Sequence, residues 1–301
     1  MLPFERVTVI GLGLIGSSIA RAVRAEMPTV RVTGFDRDPD VRTRSEELGF
    51  CHDIADSAGA GVTDADLVIL CVPVGAMASV AAEIADDLPP EAILSDVGSS
   101  KTTVIENLRK ALPNAIIVPG HPVAGTEHSG PDAGFATLFK GRWCILTPPD
   151  GAPEQAVFRM KSFWQALGAN VEIMEPRHHD LVLAVTSHVP HLIAYTIVGT
   201  ASDLEDVTRS EVIKYSAGGF RDFTRIAASD PTMWRDVFLN NKDAVLEILQ
   251  RLTEDLAAMQ RAIRWGDGDT LFEVFSRTRA IRRGIIEQGQ DDALPDFGRK
   301  H

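Results

Sequence analysis

The sequence predicts an α/β protein in two parts: a doubly wound parallel sheet over residues 1–175, then an all-helical domain over 176–290. Three observations carry this. Short continuous apolar runs alternate with helical patterns as far as Pro176, as in a parallel sheet covered on both faces. The first strand runs into the glycine-rich turn Gly11-Leu12-Gly13-Leu14-Ile15-Gly16. Beyond Pro176 the strand signals stop and only helical patterns remain.

In order, strands are expected at 6–12 (RVTVIGL), 31–36 (RVTGFD), 66–73 (DLVILCVP), 92–97 (AILSDV), 115–120 (AIIVPG), 142–148 (RWCILTP) and 170–176 (NVEIMEP). Helical patterns lie between them at 14–26, 75–87, 102–111 and 153–167. The second half reads as helices at 177–201, 205–215, 219–228, 231–263 with a break near Asn240, and 269–287. WGDGD, 265–269, marks the turn before the last helix. Residues 291–301 are expected to be a frayed tail.

The composition is globular, with 45% hydrophobic and 24% charged residues in a chain of 301. A net charge of −12 argues against a nucleic-acid partner, since phosphate binding wants a basic face. An acidic small molecule would need a local arginine cluster to overcome that field. Cys51, Cys71 and Cys144 match no zinc or CxxC spacing, no metal site is expected, and a reducing cytoplasm is the natural compartment. The N-terminus lacks the pattern of a secretory signal. Residues 181–202 carry no Asp, Glu, Lys or Arg and are long enough to span a bilayer. Two histidines, a proline and several hydroxyl residues favour a helix buried on all sides in a soluble domain or dimer, so no membrane partner is expected.

The glycine turn has the full context of a Rossmann-type dinucleotide site. A strand precedes it, a helix follows, and Asp36 ends the next strand 20 residues after Gly16. Gly11 permits the tight turn, Gly13 lets a pyrophosphate approach, and Gly16 lets the helix pack on the strand. Leu14 and Ile15 open that helix, whose N-terminus faces the phosphates. Asp36 would accept the ribose hydroxyls and repel a 2′-phosphate, which favours NAD over NADP. The neighbouring Arg37 could instead accommodate that phosphate. Val72 and Pro73, in CVPVGAM, read either as a loop over the cofactor crevice or as a plain strand terminator.

Two further strand ends carry chemistry: DVGSSK (96–101) and GHPVAGTEHSG (120–130). In an open α/β sheet both rise beside the nicotinamide. That gathers Ser99, Lys101, His121, Thr126 and Glu127 near the position of hydride transfer. His121 there can take a proton from an alcohol as hydride leaves the same carbon. As a lone histidine in a polar loop it would be only surface.

GHPVAGTEHSG, together with SHVPH (187–191) and GGFRDFTRIAASDPTMWRDVF (218–238), resembles the prephenate/arogenate dehydrogenase family of tyrosine biosynthesis. The likeness runs from Arg6 to about Gln288, with the motifs in the family's order. It implies oxidative decarboxylation of a cyclohexadienyl substrate with NAD(P), and a homodimer built on the helical domain. It implies that His121 polarises the ring 4-hydroxyl, with Ser99 as its partner there. Glu127 and Thr126 would wall the site. Arg225 would clamp a substrate carboxylate, as a bidentate guanidinium can. His191, with Ser187 beside it, would meet the substrate side chain, and Trp234 would line the pocket.

Arg221 lies one turn before Arg225 and carries less weight. Pro190 should kink its helix. His188 reads as a core histidine, His128 as exposed, and the pair His178-His179 as a surface feature. Arg277, Arg279, Arg282 and Arg283 read as a solvated or interface face. Glu127 and Asp180 are candidates for recognising an arogenate amine. The competing class is another two-domain Rossmann oxidoreductase, of the β-hydroxyacid dehydrogenase or imine reductase type. Such enzymes rely on a lysine or other group in the first helix of the second domain, and RHHDLVLAVTSHVPH (177–191) has no lysine.

Overall fold

The structure is a computed structural model that describes residues 3–126, 128–203 and 218–285. Glu127, the expected helix at 205–215 and the tail at 291–301 lie outside the described residues.

Six parallel strands form the main sheet: β1 (Arg6–Ile10), β2 (Arg31–Phe35), β3 (Asp53–Ile54), β4 (Leu67–Leu70), β5 (Ile93–Asp96) and β6 (Ile116–Ile117). Their order is β3-β2-β1-β4-β5-β6, so the chain reverses direction across the sheet between β1 and β4. The central strands are mostly apolar because each face has its own core. Val9, Leu67 and Ile69 pack on one side with Ile19, Phe163 and Trp164. Ile10, Val68 and Leu70 pack on the other with Val104 and Leu108. The covering helices are α1 (Leu14–Glu26), α2 (Pro39–Leu48), α3 (Ala58–Val62), α4 (Met77–Glu83), α5 (Thr102–Ala111) and α6 (Glu154–Ala166).

The single-sheet expectation is corrected in one respect. The run at 115–120 splits. Ile116–Ile117 closes the main sheet, while Gly120–Pro122 forms β7 of a second sheet with β8 (Trp143–Leu146) and β9 (Asn170–Ile173). Pro119 sits at the break and has no N–H to continue the ladder; its carbonyl accepts from Thr147 N at 3.0 Å. β7 pairs antiparallel with β8, opposing His121 to Ile145. Helix α2 has little apolar periodicity and is set by its ends. The Asp38 carboxylate accepts from Asp40 N, Pro39 opens the first turn, and Gly49 closes it at φ +63°.

From Pro176 onward the described residues are helical. They form α7 (Pro176–Leu183), a π turn (Ala184–His188), α8 (Val189–Ser202), α9 (Gly218–Thr224), a 3-10 turn (Arg225–Ala228), α10 (Pro231–Asn240), α11 (Lys242–Trp265) and α12 (Gly268–Ile285). Instead of a simple kink at Pro190, the helix widens before it, with Val189 N–H reaching back five residues to Ala184 O. By compactness the chain divides within α11, between Val245 and Leu246. The apolar segment at 181–202 is not buried on all sides within one chain, because residues 196–200 stand exposed.

Candidate active site

The glycine turn is shaped by close approach. Gly11 has φ +97°, and a Cβ there would lie 2.4 Å from Cys71 O and 3.0 Å from a Val72 methyl. A Cβ on Gly16 would lie 1.9 Å from Gly11 O, whereas one on Gly13 would meet nothing within 4 Å. Gly13 caps α1 with no side-chain hydrogen bond and has open space beside its Cα, at the helix end where the Leu14, Ile15 and Gly16 amides have no intrahelical partner. The Asp36 carboxylate accepts from Leu12 N at 2.8 Å and Asp38 N at 3.0 Å, and each oxygen keeps a further lone pair. This cradle fits a dinucleotide: open backbone donors for a pyrophosphate and a half-buried acceptor for ribose. Arg37 is exposed beside it. Val72 packs against the turn, and the half-exposed Val72-Pro73 loop continues into the 3-10 turn Val74–Ala76.

His121 is 8% exposed and lies on a strand, which corrects the polar-loop reading. Its Nδ1 is 2.9 Å from His179 Nε2, and His179 Nδ1 is 3.0 Å from Asp180 Oδ1. Asp180 Oδ1 accepts from Lys101 N at 2.7 Å and Oδ2 from Thr102 N at 2.9 Å. The Lys101 ammonium is fully buried and donates to Asp96 Oδ2 at 2.5 Å and to Gly120 O at 2.7 Å. Lys101 therefore grips the residue before His121 with its side chain and the carboxylate behind His179 with its backbone.

Burial, reinforced by His179, Lys101 and His188, holds the His121 imidazole well below its usual pKa. Burial also lowers His179, against the pull of Asp180. For Asp180, burial pushes upward, but hydrogen bonds from His179, Thr102 and Lys101 outweigh it and keep the carboxyl low. Both rings are thus neutral at pH 7 beside an ionised carboxylate. Asp180 is 4% exposed and already accepts from Lys101 N, Thr102 N and His179, which turns it to the protein interior and not to a substrate amine.

The π turn and α8 present the second cluster. His191 stacks on Trp234 of α10, ring centroids 3.7 Å apart, and its Nδ1 donates to Ser187 O at 2.8 Å. Burial lowers the His191 pKa, and the charge of Arg225 adds to that against the hydrogen bond to Ser187 O. Trp234 is buried, and among the described residues its Nε1 has no hydrogen-bond partner. Arg221 ends up on α9, whereas Arg225 opens the following 3-10 turn, so they do not share one helix. His188 is fully buried as expected, with Nδ1 3.0 Å from Asn241 Nδ2. Helix α10 docks on the Val74–Ala76 turn; a Cβ on Gly75 would meet Asp236 Oδ2 at 2.7 Å.

Ser99 is half-buried in the turn after β5, its backbone against His188, and no hydrogen bond joins it to His121. Thr126 is exposed and accepts from His128 N at 3.2 Å. The segment after it returns to α1 and α2, where Phe135 N donates to Ser18 Oγ at 3.1 Å and Arg44 of α2 pairs with Asp132. His121 and the glycine turn are moored to each other in this way.

A family model for the nucleotide-binding domain of prephenate dehydrogenase matches residues 19–173, and one for its dimerization domain matches 175–277. The chain belongs to the prephenate dehydrogenase family. It is 46% identical to a cyclohexadienyl dehydrogenase from Zymomonas mobilis over 95% of this chain and 97% of that protein. It is 35% identical to a prephenate dehydrogenase from Bacillus subtilis over 97% of this chain and 79% of that protein. Among solved structures, prephenate dehydrogenase from Aquifex aeolicus, crystallised with hydroxyphenyl propionate and NAD+, superposes with a TM-score of 0.87. The identity is 33%, covering 93% of this chain and 98% of that one.

Within this prephenate dehydrogenase fold the residues that sequence reasoning missed are His179, Asp180 as its partner, and the buried Asp96–Lys101 pair. His178-His179 reads as a surface pair, yet only His178 is exposed while His179 is 0% exposed. The signal lay in the helical phase. His179, Asp180 and Leu183 are the buried residues of α7.

Proposed function

We propose that the chain oxidatively decarboxylates prephenate, arogenate or both in tyrosine biosynthesis, with NAD as oxidant. The observation that carries this reading is His121, a neutral buried imidazole held from behind on β7, on the segment that returns to the nucleotide turn. NAD fits the cradle of Gly11, Gly13, Leu14, Ile15 and Gly16, with Asp36 at the ribose, Arg37 at its edge, and Val72 and Pro73 over the turn. When bound it accepts the hydride from ring C4.

His121 hydrogen-bonds the ring 4-hydroxyl and draws its proton away as electron density leaves that carbon. Ser99 holds the same hydroxyl. The C1–carboxylate bond breaks, its electron pair enters the ring as carbon dioxide departs, and His121 returns the proton to the oxygen, so the aromatic product carries its hydroxyl. Arg225 clamps the substrate's side-chain carboxylate, His191 and Ser187 hold the side chain, and Trp234 walls the pocket with a free Nε1–H to offer. Glu127 and Thr126 edge the opening. These roles rest on the resemblance together with the clustering of His191, Trp234 and Arg225.

In this reading residues 1–175 hold the nucleotide, and 176–290 complete the substrate site and pair two copies in a cytoplasmic homodimer. The match to a dimerization domain supports the pairing. So do the exposed apolar side chains along the helices, among them Ile197, Val198, Phe272 and Phe275.

The test is steady-state turnover with prephenate and with arogenate, each with NAD and NADP, on the chain and on His121→Asn. Turnover should appear with NAD, and His121→Asn should lose about 10²–10⁴-fold in kcat with NAD affinity intact. Near-normal turnover in that variant would overturn the assignment.

A further inference from the structure

The hydrogen bonds behind His121 decide which of its nitrogens carries the proton. Asp180 accepts two backbone N–H groups, one on each oxygen, and an ionised carboxylate can only accept. His179 Nδ1, 3.0 Å from Oδ1, must therefore carry a hydrogen. A neutral His179 then has a bare Nε2. His121 Nδ1, 2.9 Å from that atom, must donate to it. The opposite polarity would require a doubly protonated His179, a cation sealed in the core near the Lys101 ammonium. A neutral His121 with hydrogen on Nδ1 turns a bare Nε2 to the other side of its ring.

We propose that His179, anchored by Asp180, is a positioning residue that fixes His121 in its Nδ1–H tautomer and so leaves Nε2 as the acceptor for the substrate hydroxyl. The proposal rests on the role given to His121 above. It assigns a purpose to a buried three-residue chain that joins β7 to α7, and thereby the sheet-bearing half to the first helix of the helical half. Three titratable groups act on His121 by their charge: His179 from α7, which touches it, Lys101 from the turn before α5, and His188 from the π turn. Asp96 stands behind Lys101 and Asp180 behind His179. Of these, His179 alone is hydrogen-bonded to His121, so loss of its acceptor frees the ring to take either tautomer.

Two measurements test this. The first is 15N NMR of the imidazoles in the intact protein at pH 7.5. His121 and His179 should both show a protonated Nδ1 and a bare Nε2; a protonated Nε2 on His121 overturns the proposal without any variant. The second compares His179→Leu with His179→Gln, whose amide oxygen can stand where Nε2 stood. His179→Leu should lose at least about 10-fold in kcat, with the substrate KM and the NAD Kd within about 3-fold of the parent. Its kcat/KM–pH profile should also shift on the acid side. His179→Gln should recover most of that loss. A folded His179→Leu with parental kcat and pH profile overturns the relay, and so does a His179→Gln no better than His179→Leu. His121→Asn, run alongside, separates the two readings. If it is inactive while His179→Leu is normal, only the relay falls; if it is itself normal, both fall.

Discussion

Lys101 Nζ stands 2.5 Å from Asp96 Oδ2 with both side chains fully excluded from solvent. Desolvating two charges is costly, and the Coulomb gain returns it only while both partners are present. Gly98 N donates to the same Asp96 oxygen and Gly120 O accepts from Lys101, while the buried Asp96 Oδ1 has no partner among the described residues. Lys101→Met leaves the Asp96 carboxylate without its cation and should destabilise the fold by about 3–5 kcal/mol in urea unfolding. The paired replacement Lys101→Met with Asp96→Leu should cost less than the single change. A single variant within about 1 kcal/mol of the parent would show that the pair is not ionised in the folded state.

Four histidines, at 121, 179, 188 and 191, have pKa values lowered chiefly by burial, His188 to about 4. A depressed histidine binds fewer protons folded than unfolded, so stability rises with pH up to the unfolded value near 6.5 and falls below it. For His188, acidification from pH 6.5 to about 4 should remove about 3 kcal/mol, after which its contribution levels off. The urea midpoint should therefore drop steeply between pH 6.5 and 4. His188→Asn should flatten part of that slope. A midpoint unchanged across this window would mean that these rings are hydrated in the native state.

Gly13 and Gly16 separate binding from folding. A methyl at Gly16 would overlap Gly11 O at 1.9 Å, so Gly16→Ala should lower Tm and weaken NAD together. A methyl at Gly13 meets no protein atom within 4 Å, and the backbone there, φ −70°, suits alanine. Gly13→Ala should keep the parental Tm yet raise the NAD Kd at least about 10-fold, because the methyl occupies the approach to the helix terminus. Equal NAD affinity in Gly13→Ala would place the pyrophosphate elsewhere.

The main sheet was legible because strands buried on both faces are dominated by apolar residues, and β1, β4 and β5 need no partner to declare themselves. The glycine turn was legible because its chemistry is local. The second sheet was not. Three residues, Gly120–Pro122, carry no period, and their pairing with β8 is made by residues more than 20 positions away. His179 escaped for the same reason. Glu175, Pro176 and Arg177 around it announce a polar helix start, with Glu175 capping Arg177 N and His178 N. Its burial comes only when α7 docks against Lys101 and against His121, the latter 58 residues back in the chain.

Asp36 bears on cofactor choice through two backbone hydrogen bonds, from Leu12 N and Asp38 N, that pin its carboxylate at the end of β2. A pinned carboxylate cannot swing aside for a 2′-phosphate. Like charges about 4 Å apart at a protein surface repel by roughly 4 kcal/mol. Arg42 waits behind it, with Nη1 2.7 Å from Asp36 O, and the exposed Arg37 beside it. Asp36→Ser removes the repulsion and leaves both cations for the phosphate. The ratio of kcat/KM for NADP over NAD should rise at least about 10-fold, with the prephenate KM unchanged. Should the ratio stay at its parental value, the choice is made by other residues and Asp36 serves only to brace the glycine turn.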